Sequence, residues 1–184
     1  MSVLTLANQL TLLRVVLIPA FVILVIYGHL GWALIVFATA CLTDALDGLT
    51  ARWSDQKSTL GAWLDPMADK LLALSTFIVL TVPWLGLANP LPIWLTVLII
   101  SRDVVIVGTV AIVNLAIGPK TFRPSFFGKA ATATYMMTAV VAMFYNYLGY
   151  HSRVVDTFVY ASLAITLISS MHYIYHAARI IEGR

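Results

Sequence analysis

The chain has 184 residues, 61% of them hydrophobic and only 10% charged, with a formal net charge of +3. Soluble domains carry about a quarter charged residues, so these few charges do not cover a water-facing surface. No basic run offers nucleic acid an electrostatic footprint, and the lone Cys41 excludes an intrachain disulfide.

Six apolar stretches follow one another: Leu6–Tyr27, Gly31–Ala51, Ala62–Trp84, Leu91–Leu115, Phe127–Leu148 and Val155–Ala178. Each is long enough to cross a bilayer as a helix, which takes about 20 residues. Continuous apolar runs, unlike period-two alternation, select helices over barrel strands. The first stretch contains Pro19, a candidate kink, and Met1–Gln9 lacks the Lys or Arg of a cleavable leader. Gly28, the polar Trp53–Ser58 segment, the Pro83–Pro92 turn, the Gly118–Pro124 loop and Gly149–Ser152 punctuate the chain. The expected fold is all-α: one polytopic membrane domain over 1–184, with six transmembrane helices and a polar cavity open to the cytoplasm. An even number of spans puts both termini on one side, together with Arg52, Lys57, Lys120, Arg123, Lys129 and Arg179, and leaves Arg153 opposite. The positive-inside rule makes the cation-rich side cytoplasmic. The closing Ile181-Glu182-Gly183-Arg184 resembles an engineered protease-recognition site.

Half of the eight acids form two closely spaced pairs. Asp44 and Asp47 are three apart at the end of the second span; Asp65 and Asp69 are four apart at the start of the third. Each pair shares a helix face, and the short loop between predicts antiparallel neighbours that bring the four carboxylates together. They cannot all remain ionised in a low dielectric without compensation, and Arg52, Lys57 and Lys70 are too few to serve as ion-pair partners. Hard divalent cations, Mg²⁺ or Mn²⁺, solve the problem, and two of them can clamp the attacking and leaving oxygens of a phosphate displacement. Gly48 and Gly61 let a bulky ligand approach the backbone, and Arg52 offers a planar fork to phosphate.

The stretch reads Asp-x2-Asp-Gly-x2-Ala-Arg-x8-Gly-x3-Asp-x3-Asp from Asp44 to Asp69. It resembles the signature of the CDP-alcohol phosphotransferases at every spacing. The resemblance implies a membrane enzyme that moves a phosphoalcohol from a CDP-alcohol to a second alcohol and releases CMP. It implies metal ligation by Asp44, Asp47, Asp65 and Asp69, with Asp69 also the general base on the acceptor hydroxyl. It implies a CDP site lined by Gly48, Arg52, Ser58 and Gly61, and a homodimer. The opening Asn8-x2-Thr11-x2-Arg14 is similar to that of family members using CDP-diacylglycerol, where the segment contacts the nucleotide; Asn8 and Thr11 join the CDP site on that basis.

The acceptor is read from cations outside the signature. Arg102 lies mid-span beside Asp103, Lys120 and Arg123 occupy the loop before the fifth span, and Lys129 opens that span. Pointing into one cavity, they suit an anionic acceptor. For Arg102 a local pair with Asp103 is an equal alternative, and for the loop cations an ordinary cytoplasmic loop. Leu60–Leu72 resembles the phosphatidylglycerophosphate synthases, which implies glycerol 3-phosphate as acceptor. Ser101-Arg102-Asp103-Val104 is more similar to cardiolipin synthases, which implies phosphatidylglycerol. Glycerol 3-phosphate is the favoured reading, in a bacterial inner membrane.

His172 and His176 have a metal-binding spacing but no evident third ligand, and read as packing. Met136 and Met137 read as core fillers. A membrane prenyltransferase would carry two separated aspartate motifs, and a cation transporter would spread acids over several spans; here there is one cluster.

Overall fold

A computed structural model describes residues 6–53, 59–117 and 126–182, and within them the side chains of 9–43, 67–109, 115 and 126–175. Six helices follow in order: α1 (Leu6–Ile26), α2 (Leu30–Trp53), α3 (Thr59–Thr81), α4 (Ile93–Ile117), α5 (Phe126–Leu148) and α6 (Arg153–Glu182). A single 3-10 turn covers Pro83–Leu85, and no strand occurs among the described residues. Each apolar stretch is a helix, as its length and continuity predict. The boundaries differ where local chemistry decides them. Helix α4 starts at Ile93, after the expected Leu91, because Pro90 and Pro92 lack donors and Leu91 precedes a proline. Helix α1 continues through Pro19.

Glycine sets two of the ends. Gly28 has φ 75°; its N–H donates to Val25 O at 3.0 Å, and the His29 N–H donates to Leu24 O at 2.8 Å. This doubly bonded cap needs a left-handed residue. Gly149, at φ 76°, closes α5 in the same region, its N–H donating to Tyr145 O at 3.1 Å.

The chain divides into two compact units. The first comprises Met1–Pro90 and Ala139–His151, so it contains α1, α2, α3 and the C-terminal part of α5. Within it α1 packs against both α2 and α3. Phe21, Val25, Phe37, Leu72 and Leu80 are fully buried there, and the Phe21 and Phe37 rings meet at 5.4 Å with a 40° tilt, a favourable offset geometry. Two buried asparagines close the unit. The Asn89 N–H donates to Asn146 Oδ1 at 2.7 Å, Asn146 Nδ2 donates to Asn89 O at 3.2 Å, and Asn89 Nδ2 donates to Tyr150 O at 2.9 Å.

The second unit comprises Leu91–Thr138 and Ser152–Arg184. Helix α4 packs against α6 there, around buried Leu95, Ile99, Val155 and Val159. Tyr135 and Thr138 on α5 share hydrogen bonds with Thr166 and Ser162 on α6, at 2.5 and 2.7 Å.

Apolar side chains also cover the outside: Val16, Trp32, Leu42, Val104 and Met171 are all strongly exposed. Met137, read as a core filler, is 52% exposed and belongs to this outer face. Among the described residues, two windows, Gln9–Ile26 and Arg153–Tyr175, are long and apolar enough to cross a membrane, with Leu30–Thr43 a shorter apolar segment. Only 22% and 28% of the two windows is buried, which sets them apart from the core helix of a soluble protein. Hydroxyls within the helices bond their own backbone, as Thr76 does to Leu72 O at 2.7 Å and Thr109 to Val105 O at 2.7 Å, so they need no water.

Replacing Asn146 with alanine removes the partners of the buried Asn89 N–H and C=O. Asn146→Ala is expected to cost on the order of 2 kcal/mol, read as a lower midpoint of thermal unfolding in detergent. A variant that melts with the wild type would show that the clamp contributes nothing.

Candidate active site

The signature lies on helical backbone. Asp44, Asp47, Gly48, Ala51 and Arg52 occupy the final turns of α2, and Gly61, Asp65 and Asp69 the first turns of α3. Both helices are continuous through these positions, so the three- and four-residue spacings are single turns, as the sequence predicts. The side chains of Asn8, Asp44, Asp47, Gly48, Arg52, Gly61 and Asp65, and all of Ser58, Lys120 and Arg123, lie outside the described residues. Of the four carboxylates, Asp69 is the described one.

Asp69 is held by a residue 55 positions away. Arg14, on α1, donates from Nη1 to Asp69 Oδ1 at 2.5 Å. The Arg14 side chain is 0% exposed, whereas that of Asp69 is 42% exposed. Among the described residues, Arg14 is the one fully buried charge. Burying an ion costs several kcal/mol unless a counter-ion and hydrogen bonds compensate it, and Asp69 supplies a counter-charge and one hydrogen bond. Thr11, one turn before Arg14, is likewise fully buried. The contact of α1 with α2 and α3 makes it the helix on which the two signature helices share a surface.

The residues fit divalent cations by chemistry. Four carboxylates form a hard oxygen donor set, suited to Mg²⁺ or Mn²⁺ rather than to a soft metal, and the one described carboxylate keeps accessible surface beside its arginine.

The second unit carries its own charged pair. Arg102 on α4 donates from Nη1 to Asp103 Oδ1 at 2.7 Å and from Nη2 to Ser169 Oγ on α6 at 3.0 Å. The Arg102 side chain is 11% exposed, and its Nε is buried with no hydrogen-bond partner. The local pair with Asp103 therefore forms, and one donor is left over. Lys129, in the first turn of α5, is exposed. His172 stacks near Phe127, ring centroids 5.0 Å apart, in the packing role its neighbours predict.

Two participants were not singled out from sequence. Arg14 had a signal, since an ionisable residue inside an apolar span is costly and so usually functional. Ser169 had only its register with Ser162 and Thr166 along α6. A cavity at the turn between α1 and α2, lined by His29, Trp32, Ile35 and Tyr147 among others, is a separate feature. It lies about 21 Å from Asp44 along α2, at about 1.5 Å per residue.

Comparison with known proteins agrees with the signature. Residues 4–170 match the family of CDP-alcohol phosphatidyltransferases. A protein of Mycobacterium tuberculosis (strain ATCC 25618 / H37Rv) named probable phosphatidylglycerophosphate synthase is 34% identical over 187 residues, covering 97% of this chain and 84% of that protein. The human cardiolipin synthase (CMP-forming) is 32% identical over 95% of this chain and 62% of its own length. The Streptomyces coelicolor cardiolipin synthase (CMP-forming) is 38% identical over 73% of this chain and 62% of its own length. With the signature intact on α2 and α3 and the match running over nearly the whole chain, this membrane protein belongs to the CDP-alcohol phosphatidyltransferase family.

Proposed function

We propose that the chain transfers the phosphatidyl group of CDP-diacylglycerol to glycerol 3-phosphate, giving phosphatidylglycerophosphate and CMP. The observation that carries the reaction is the Asp44–Asp69 signature, complete in spacing and carried by α2 and α3, ending in a carboxylate that is held by Arg14 yet still exposed. The acceptor rests on similarity over 97% of the chain to the mycobacterial protein named probable phosphatidylglycerophosphate synthase. The cardiolipin synthases among the relatives support a second reading, with phosphatidylglycerol as acceptor.

The chemistry follows from the residue types. Asp69 accepts the proton of the acceptor hydroxyl, whose oxygen attacks the phosphatidyl phosphorus as the bond to the CMP oxygen breaks. Two divalent ions, held by Asp44, Asp47, Asp65 and Asp69, would neutralise the diphosphate and stabilise the departing CMP. Gly48 and Gly61 admit the nucleotide to the backbone, Arg52 pairs with its phosphate, and Asn8 and Ser58 complete the CDP site, with Thr11, enclosed beside Arg14, supporting it from behind. Arg102, Lys120, Arg123 and Lys129 bind the anionic acceptor, as a cluster of cations suits an anionic glycerol.

In this reading the chain is one domain of six spans, with both termini and a polar cavity on the cytoplasmic side, in a bacterial inner membrane and as a homodimer. Helix lengths of 21 to 30 residues support six crossings, since about 20 suffice. The diacyl tails stay in the bilayer while the headgroup reacts at its surface.

Purified protein supplied with CDP-diacylglycerol, Mg²⁺ and glycerol 3-phosphate is expected to release CMP, and EDTA to stop the release. CMP release with phosphatidylglycerol alone would select the second reading; failure to release CMP with either alcohol would remove the enzyme class. Asp69→Asn is expected to lower kcat by about a thousandfold, within the range of general-base catalysis, with CDP still bound. Wild-type turnover in that variant would remove Asp69 as the base. Lys129→Gln is expected to raise KM for glycerol 3-phosphate by about tenfold, the effect of losing one charge-assisted bond, and to leave KM for CDP-diacylglycerol unchanged. Equal changes in both would place Lys129 outside the acceptor site.

A further inference from the structure

We infer that Arg14 is a positioning residue for the reaction: it fixes the orientation of the Asp69 carboxylate and does not touch the nucleotide. The inference rests on the proposed phosphatidyl transfer with Asp69 as base. The resemblance of Asn8-x2-Thr11-x2-Arg14 to nucleotide-contacting segments would make Arg14 a phosphate ligand. The geometry points elsewhere. The Arg14 side chain has no exposed surface, so a solute or lipid headgroup has nothing to meet. Its Nη1 is committed at 2.5 Å to Asp69 Oδ1, and Asp69 is the member of the pair that reaches the surface. The cation lies behind the carboxylate and meets the site at Asp69.

The physical role is orientation. An aspartate in the middle of a helix has two side-chain torsions to fix, and a base must present its oxygen within hydrogen-bond reach of the proton it takes. Anchoring Oδ1 to a planar guanidinium on a neighbouring helix fixes both torsions. Lysine is a poor substitute, since its point charge does not define the carboxylate plane. The anchor itself is immobile, because Arg14 is enclosed and α1 packs along both α2 and α3.

The alternative role is purely architectural, a strut between α1 and α3. The two differ in what the variant loses. Removing one member of a buried ion pair is costly because it strands the partner charge away from water, and the 42% exposure of Asp69 reduces that cost here. Arg14→Met should therefore fold, with Arg14→Gln and Arg14→Lys as further variants should it not.

The test measures CMP release against both substrates, binding of CDP with Mg²⁺ by calorimetry, and melting in detergent. Arg14→Met is expected to lower kcat by about a hundredfold, the usual effect of a reacting group displaced by about 1 Å. KM for CDP-diacylglycerol and the Kd for CDP should each stay within about twofold of wild type, as expected when only the chemical step is touched. Arg14→Lys should fall between Arg14→Met and wild type. In an Asp69→Asn background, Arg14→Met should change the residual rate by less than about twofold, because residues acting as a unit are non-additive. A raised KM for CDP-diacylglycerol at unchanged kcat would make Arg14 a nucleotide ligand and overturn the inference. A full Arg14→Met loss in the Asp69→Asn background, or a lower melting point at unchanged kcat, would reduce it to a strut. Absence of CMP release by the wild type would instead overturn the proposed function, and the inference with it.

Discussion

A charge taken out of water must be met by a counter-charge, and in the first unit of this protein the condition is satisfied by Arg14 and Asp69. The guanidinium on α1 has no exposure to solvent, so α1 can be placed only where a carboxylate receives it. That carboxylate belongs to α3, and α1 packs against α2 as well. The ion pair thus favours turning inward the face of α1 that carries Thr11 and Arg14. Hydrophobicity cannot make that choice in a bilayer, because lipid tails are as apolar as leucine. The aromatic contact of Phe21 with Phe37 then fills the space that the pair defines.

Polar side chains do similar work elsewhere. Tyr135–Thr166 and Thr138–Ser162 join α5 to α6 in the second unit, and Arg102 reaches Ser169 on α6. In the first unit Asn89 and Asn146 exchange two hydrogen bonds and close the loop before α4 onto the end of α5. Such bonds contribute about 0.6 kcal/mol each between membrane helices, less than the penalty of leaving the same groups unpaired in hydrocarbon. Their effect is selective: they make one register of two apolar helices better than its neighbours.

The sequence carried some of this plainly and some not at all. Helices were legible because the apolar runs are long and broken by glycine and proline, and the signature was legible because its spacing is local. Asp44 and Asp47 need only the helix period to share a face. The Arg14–Asp69 pair spans 55 residues, and periodicity says nothing about partners at that distance. The same holds for Asn89 with Asn146 and for Arg102 with Ser169. Arg102 next to Asp103 was legible as one of two readings, and its contact with Ser169 depends on how α4 meets α6. Met137 was misjudged because an apolar side chain in a membrane helix is equally content outside.

The buried arginine also bears on why such a residue stands in α1 at all. Apolar residues in place of a whole buried ion pair are often neutral or stabilising, so stability alone gives the Arg14–Asp69 pair no advantage over two well-packed apolar side chains. The advantage must come from what the charge does to its partner. On the proposed reading that partner is a base that has to meet a hydroxyl in a fixed direction while metal ions and a diphosphate crowd the same site. A carboxylate free to rotate would turn toward the strongest positive charge present. An arginine behind it, enclosed and already bonded, opposes that rotation without entering the reaction. Stability forgone at α1 is then exchanged for geometry at Asp69, a trade found where activity depends on preorganised charge.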